Sequence, residues 1–242
     1  MRKLFTLCLL LLYIVPIYSQ QGSEFDRQMR EYGLVDIQEL SPAILVDLKY
    51  SSQDNFVGVD MYGDLETAYL VESFANKVAY AQQLLQERNP NLTLLIYDAA
   101  RPISVQRAMR RVVENTVFED FVADGTRGGR HNYGVAVDLT IATLDGVPLD
   151  MGAGFDEFSE ASSVKGTPDT SDASTRTIEV YRRYVNSLAD RGVISTDAAA
   201  NRILLLEVMC QAGLFPYRKE WWHFEEIISI SDTRSNYELL DF

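Results

Sequence analysis

GRHNYGVAVDLT, residues 129–140, sets a glycine-rich turn in front of a strand. Past the turn, successive side chains point to opposite sides. Gly134, Ala136, Asp138 and Thr140 share one face, and Val135, Val137, Leu139 and Ile141 share the other. The second set is a core face. The first is built of small residues around one carboxylate, which leaves room beside Asp138 for a metal and a substrate. His131 lies seven positions before Asp138. A regular strand would aim it away, so the Asn132–Tyr133–Gly134 bend must re-aim it.

The chain has two histidines among 242 residues, and the second, His223, stands in EWWHFEEI, residues 220–227. Two imidazoles and one carboxylate are a common protein ligand set for a catalytic zinc whose fourth position stays open. Flanked by Trp221, Trp222 and Phe224, His223 by itself looks like a core residue. The equally constrained setting of His131 shifts the reading toward a ligand. Glu220, three residues earlier, suits a general base acting on a zinc-activated water of pKa about 7; a surface ion pair with Arg218 or Lys219 is the alternative. Arg101 ends a buried strand in YDAARP, directly before Pro102. Its planar fork can reach into a cleft and stabilise a developing oxyanion, or it can serve as an anchor for Asp98.

The N-terminus, MRKLFTLCLLLLYIVPIYSQ, has Arg2 and Lys3, an apolar run and then small or polar residues near Ser19. That is the pattern of a secretory signal peptide over residues 1–19. The run from Leu4 to Val15 covers 12 residues, short of the roughly 20 a spanning helix needs. The expectation is export to a periplasm or the cell exterior, with no stable membrane insertion after cleavage. Without Cys8, Cys210 is the one remaining cysteine; it fits a buried core thiol and cannot form an intrachain disulfide.

Residues 20–33 read as a flexible leader and 34–242 as one domain. One or two short strands flank Pro42. Apolar residues at helical spacing (Leu70, Phe74, Val78, Ala81, Leu85) predict a helix over 67–88, stopped by Asn89–Pro90–Asn91. LTLLIYD (92–98) is a buried strand, and a helix starts near Pro102 with Ser104 as a possible cap. Asp145–Gly146 turns a hairpin. Residues 151–173 read as an exposed loop. Two amphipathic helices end at Gly192 and Gly213, and a strand-like segment with a polar tail closes the chain. Helices and strands mix without regular alternation, which predicts an α+β single domain. A central, mostly antiparallel sheet would be flanked by helices, with the zinc site on the sheet face.

Removing Arg2 and Lys3 leaves 20 basic against 35 acidic residues, a net charge of −15. A nucleic-acid partner needs a basic patch, and none is visible; Arg107, Arg110 and Arg111 read as the solvated face of a helix.

YDAARP, then His131–x–x–Gly134–x–Ala136–x–Asp138, then Glu220–x–x–His223 resemble the zinc D-alanyl-D-alanine dipeptidases of the VanX type, within a wider superfamily of D-Ala-D-Ala carboxypeptidases and endopeptidases. The likeness runs in order over roughly residues 35–230. It implies one zinc per chain held by His131, Asp138 and His223. Glu220 would be the base and proton shuttle, and Arg101 would stabilise the transition state. It further implies that Asp156, in MGAGFD, contacts the ammonium of a D-Ala-D-Ala substrate. Gly129 departs from the pattern, standing where the family usually places a serine associated with substrate contacts. A dipeptidase needs a small, closed pocket, and 151–173 and 51–64 are the candidate lids. The rival expectations are a peptidoglycan D,D-carboxypeptidase or endopeptidase, and a zinc-stabilised binding module without turnover.

Overall fold

The computed structural model describes residues 23–119, 122–123, 125–165 and 177–242. The signal-peptide stretch and the end of the 151–173 loop lie outside these residues. Among them, seven helices flank a five-stranded sheet, which bears out the α+β single-domain expectation.

The sheet is built from β2 (Leu45–Val46), β4 (Leu92–Asp98), β5 (Ala136–Thr143), β7 (Glu220–Glu225) and β6 (Phe215–Tyr217), in that spatial order. β2 runs parallel to β4, and every other pairing is antiparallel. All seven residues of β4 are buried, as its continuous apolar run implies. One face packs under α3 (Glu72–Arg88) and α6 (Thr196–Gln211). There Phe74, Val78 and Leu85 meet Leu94, Ile96, Val137, Leu139, Ile141, Leu205 and Met209 in the main core. Each such apolar side chain contributes about 1.5–3 kcal/mol on burial.

The other face is covered as well. Leu95, Tyr97 and Ala142 form a smaller cluster under Leu45 and Phe155. The small-residue face of β5 is therefore roofed by the loop after residue 150, and Met151, Ser162, Ser163 and Val164 of that loop are buried. Within 151–165 the expectation of an exposed loop is corrected at these positions, while Gly154, Glu157, Ser159 and Glu160 are exposed as expected.

Two boundaries and one helix cap differ from expectation. Glu24–Glu31, read as part of a flexible leader, forms α1, started by a reciprocal Ser23–Asp26 capping box and anchored by buried Met29. α3 begins at Glu72 rather than 67, because Tyr69–Leu70 (β3) pairs with Val35–Asp36 (β1) in a separate two-stranded sheet; α2 (Ile37–Leu40) follows β1. α4 (Ile103–Val113) carries no side-chain cap from Ser104. Its first amides donate instead to Leu240 and Phe242 carbonyls near the C-terminus, at 2.9 and 3.2 Å. α5 (Ile178–Asp190) and α6 stop at Gly192 and Gly213 as expected. The hairpin forms at Asp145–Gly146, and the polar tail contains α7 (Ile230–Asn236). Cys210 is half-buried on α6, its thiol pushed up to about 12 by burial. None of the described helices is long and apolar enough to cross a membrane.

Candidate metal centre and active-site cavity

Strand register brings the site together. β5 pairs with β7 so that Asp138 faces His223, while Asp98 at the end of β4 pairs with Asp138 from the other side. Directly paired residues share a face, so these three lie in one row across the sheet. A bulge between Ile96 and Asp98 sets two residues of β4 against one of β5. It re-aims Asp98 out of the core-facing series to which Ile96 belongs.

His131 enters from a single 3-10 turn, Arg130–Tyr133, just before β5. Gly134 ends the turn at φ 67°, the left-handed conformation that reverses the chain into the strand. A side chain there would also press on Leu34 and Val71. The re-aiming bend expected at Asn132–Gly134 is present. It is clamped to the segment after β4: the Arg101 amide donates to the His131 carbonyl at 3.0 Å, and Asn132 Nδ2 donates to the Arg101 carbonyl at 2.8 Å.

The outer shell orients both imidazoles. His131 Nδ1 lies 2.7 Å from the Ala99 carbonyl, an acceptor only, so Nδ1 carries the hydrogen and Nε2 faces the site with its lone pair. His223 is turned the other way. Its Nε2 lies 3.4 Å from Glu225 Oε2, and Nδ1 faces the site. Arg130 in turn holds Glu225, Nη1 to Oε2 at 3.2 Å, and donates from Nη2 to the Ile228 carbonyl at 2.6 Å.

The three inward atoms form a nearly equilateral triangle. His223 Nδ1 is 3.0 Å from Asp138 Oδ1 and 3.1 Å from His131 Nε2, and His131 Nε2 is 3.4 Å from Asp138 Oδ1. Tetrahedral bonds of 2.0–2.1 Å put neighbouring donors about 3.3 Å apart, so the triangle has the size of one face of such a site. Three electron-rich atoms at this spacing require a cation among them. A proton can serve: against the desolvation that lowers it, Asp138 and Glu225 raise His223 to about 10. Despite the upward push of burial, the two imidazoles hold Asp138 well below the usual carboxylate range. The donor set fits a metal ion of the kind histidine and carboxylate favour.

Around this triangle lies a cavity of about 280 Å³. Arg101, His131, Asp138, Asp156, Glu220 and His223 all line it, as does Gly129. Glu220 begins β7, next to the hairpin turn from β6. Its Oε2 is 3.9 Å from His223 Nδ1, and burial raises its carboxyl. It faces inward rather than standing as a surface ion pair. Arg101 combines the two arrangements considered for it. Its guanidinium lines the cavity and also pairs with Asp98, donating from Nε at 3.1 Å. Nη1 donates to Gln106 Oε1 at 2.9 Å, and the group lies 5.1 Å above the Tyr50 ring.

Asp156 sits across the cavity in the left-handed region, φ 57°, and accepts a hydrogen bond from Tyr50 at 2.7 Å. Burial first, and the Asp138 charge after it, push its carboxyl well above the ordinary value. Phe56 and Phe158, from the two segments expected as lids, also line the cavity with ring centres 5.3 Å apart.

Sequence reading missed Tyr50, Asp98 in its full role, Tyr62 and Glu225. Asp98 gathers Arg101, the pairing the sequence already offered, and the Tyr62 hydroxyl at 2.6 Å, which has no signal in the local sequence. Glu225 had one: two residues past His223 on a strand, it shares that residue's face.

This fold and donor set belong to a peptidase class. The D-ala-D-ala dipeptidase family, peptidase M15, matches residues 30–238. The chain is 32% identical to a D-alanyl-D-alanine dipeptidase of Escherichia coli K12 over 192 residues, covering 79% of this chain and 83% of the relative. It is 26% identical to one from Synechocystis sp. (84% and 89% covered) and 25% identical to one from Enterococcus faecalis (81% and 93% covered). The chain belongs to the D-ala-D-ala dipeptidase family.

Proposed function

We propose that this protein is an exported, zinc-dependent dipeptidase that hydrolyses D-Ala-D-Ala. The observation that carries the reading is the triangle of His131 Nε2, Asp138 Oδ1 and His223 Nδ1 inside a cavity that Glu220, Arg101 and Asp156 complete. The names of the relatives support the substrate, and the N-terminal charge and apolar pattern supports export.

Bound there, zinc supplies Lewis-acid polarisation of the scissile carbonyl and lowers the pKa of water to about 7. The Glu220 carboxylate takes a proton from the attacking water and hands it to the departing amine nitrogen as the C–N bond breaks. Burial has already raised this carboxyl, which suits a group that must both accept and release a proton. Arg101 steadies the carbonyl oxygen as charge grows on it. Asp98 holds the guanidinium in place, so no ordering cost falls on the reaction step. Asp156 and Tyr50 receive the ammonium end. An incoming cation draws the Asp156 carboxyl toward its anion against the burial that favours the neutral form.

A cavity of about 280 Å³ falls just below the range usual for drug-sized ligands. It favours a free dipeptide over the blocked peptides that a carboxypeptidase or endopeptidase would take. Hydrolysis of D-Ala-D-Ala, compared with an N-acylated peptide of the same ending and with and without a chelator, tests the reading. Chelator-sensitive cleavage of the free dipeptide alone is expected. Cleavage of the blocked peptide at equal rate would make the protein a cell-wall peptidase, and zinc binding without any cleavage would leave a binding module.

A further inference from the structure

Asp156 reaches the cavity from a stretch with no regular secondary structure, yet the backbone leading to it is held at carbonyl after carbonyl. The Asp150 carbonyl accepts from Asn201 Nδ2 at 2.9 Å, the Met151 carbonyl from Arg202 Nε, and the Ala153 carbonyl from Trp221 Nε1 at 3.2 Å. Between them Gly152, at φ 79°, lies so close to α6's entry that an added Cβ would stand 2.7 Å from Ile194. Three side chains of α6 and β7, none of them lining the cavity, thus bind three of the four carbonyls from Asp150 to Ala153.

Arg202 is the unusual member. It is 1% exposed, and among the described residues neither Nη1 nor Nη2 has a hydrogen-bond partner. Its guanidinium lies 5.7 Å over the Trp221 ring, and burial lowers its pKa to about 10. The Asp150 and Glu157 charges offset that burial only in part, so the buried cation still costs stability, and a leucine would fill an α6 core position without that cost. What the arginine adds is the donor to the Met151 carbonyl and a platform for Trp221, which holds the Ala153 carbonyl.

We propose that Arg202, together with Trp221, is a positioning residue for substrate ammonium recognition: the two fix the 150–153 backbone so that Asp156, three residues on, stands against Tyr50 at the cavity wall. The inference rests on the reading of Asp156 as the ammonium partner. An anion presented equally to ground and transition states changes KM and leaves kcat alone.

The test uses the zinc-loaded full chain. KM and kcat are measured for D-Ala-D-Ala, and Ki for N-propionyl-D-alanine, in which hydrogen replaces the ammonium. Arg202→Met is expected to raise KM about tenfold with kcat within about twofold, leaving Ki for the propionyl compound unchanged. Arg202→Lys keeps a donor and recovers part of the loss. Trp221→Phe removes the indole N–H together with part of the buried ring and shifts KM in the same direction, with the propionyl Ki reporting any packing loss; it carries the test should Arg202→Met fail to fold. A wild-type KM in both variants overturns the proposal. So does equal weakening of the dipeptide and its propionyl analogue, the mark of a general packing defect. Asp156→Asn separates the two layers: should it leave KM unchanged, the ammonium reading itself fails, whatever Arg202 does.

Discussion

Asp138 and His223, 85 positions apart in the chain, face each other on neighbouring antiparallel strands, with Oδ1 and Nδ1 3.0 Å apart. Backbone pairing rather than a flexible loop sets that separation, so the site is largely preformed. His131 completes it from a turn tied to the segment after β4. Removing the metal with a chelator should therefore leave the fold standing while lowering its melting temperature, since ligand binding to the native state alone stabilises it. Calorimetry with and without added zinc measures the shift; identical melting curves would count against a metal at these residues.

Glu220 lies close to the donor triangle without being one of its corners, 3.9 Å from His223 Nδ1. Glu220→Gln keeps the shape and removes the proton acceptor. The expected result is a fall in kcat of about a hundred- to ten-thousand-fold with zinc content unchanged by metal analysis. Loss of zinc in the variant would reassign Glu220 as a ligand.

Glu225 fixes the His223 ring from behind and is itself held by Arg130. Outer partners of metal-bound histidines typically govern about 10–100-fold in metal affinity. Glu225→Gln should weaken zinc binding within that range in a chelator competition. With two histidines in the chain, nitrogen NMR of the imidazoles can follow both: His131 protonated at Nδ1, His223 at Nε2. An unchanged affinity and tautomer pattern in the variant would remove Glu225 from this role.

Asp156 gives the protein a pH dependence of definite sign. Its carboxyl is raised well above the ordinary 3.8 in the folded protein, chiefly by burial. The folded state then holds the proton more tightly than the unfolded one, so this group's contribution is full below 3.8 and is lost as pH rises through the folded pKa. Asparagine keeps the shape, tolerates the φ of 57° and cannot ionise. Asp156→Asn should therefore melt at or above wild type at pH 8 and lose that advantage near pH 4, while binding dipeptide more weakly. A melting difference that stays constant from pH 4 to 8 would contradict the sign.

Gly129 has an ordinary extended backbone, φ −98° and ψ −171°, and an added Cβ would meet nothing within 4 Å. Its position on the cavity wall leaves space for a hydroxyl to face substrate. Gly129→Ser should change stability by no more than about 0.5 kcal/mol and lower KM for D-Ala-D-Ala. A variant that folds normally with an unchanged KM would show that the hydroxyl has no substrate within reach.

Much of the site is legible in the sequence because its residues are chemically scarce. Two histidines, each beside a carboxylate, leave few ways to assemble an imidazole–carboxylate set, and Gly134 marks where the turn must reverse. β4 is legible as a continuous apolar run, and α5 and α6 by periodicity with terminal glycines. Leu70 misleads for a physical reason. Its spacing matches a helix face, yet pairing with Val35 takes it into a strand, and a partner distant in sequence leaves no trace in local periodicity.

By itself the sequence determined the central elements β4, β5, α5 and α6 and the two faces of β5, and it named His131, Asp138 and His223 as candidate donors, since these follow from side-chain chemistry and from periods of 2.0 and 3.6 residues. Tertiary structure decided which acids surround the metal donors and how. Asp98 accepts from the Tyr62 hydroxyl 36 positions away, Tyr50 meets Asp156 across 106 positions, and the 151–165 segment folds down onto the sheet. Those relationships depend on strand register and on the shape of buried surfaces. Both are set by contacts among segments far apart in the chain, which no local stretch of sequence contains.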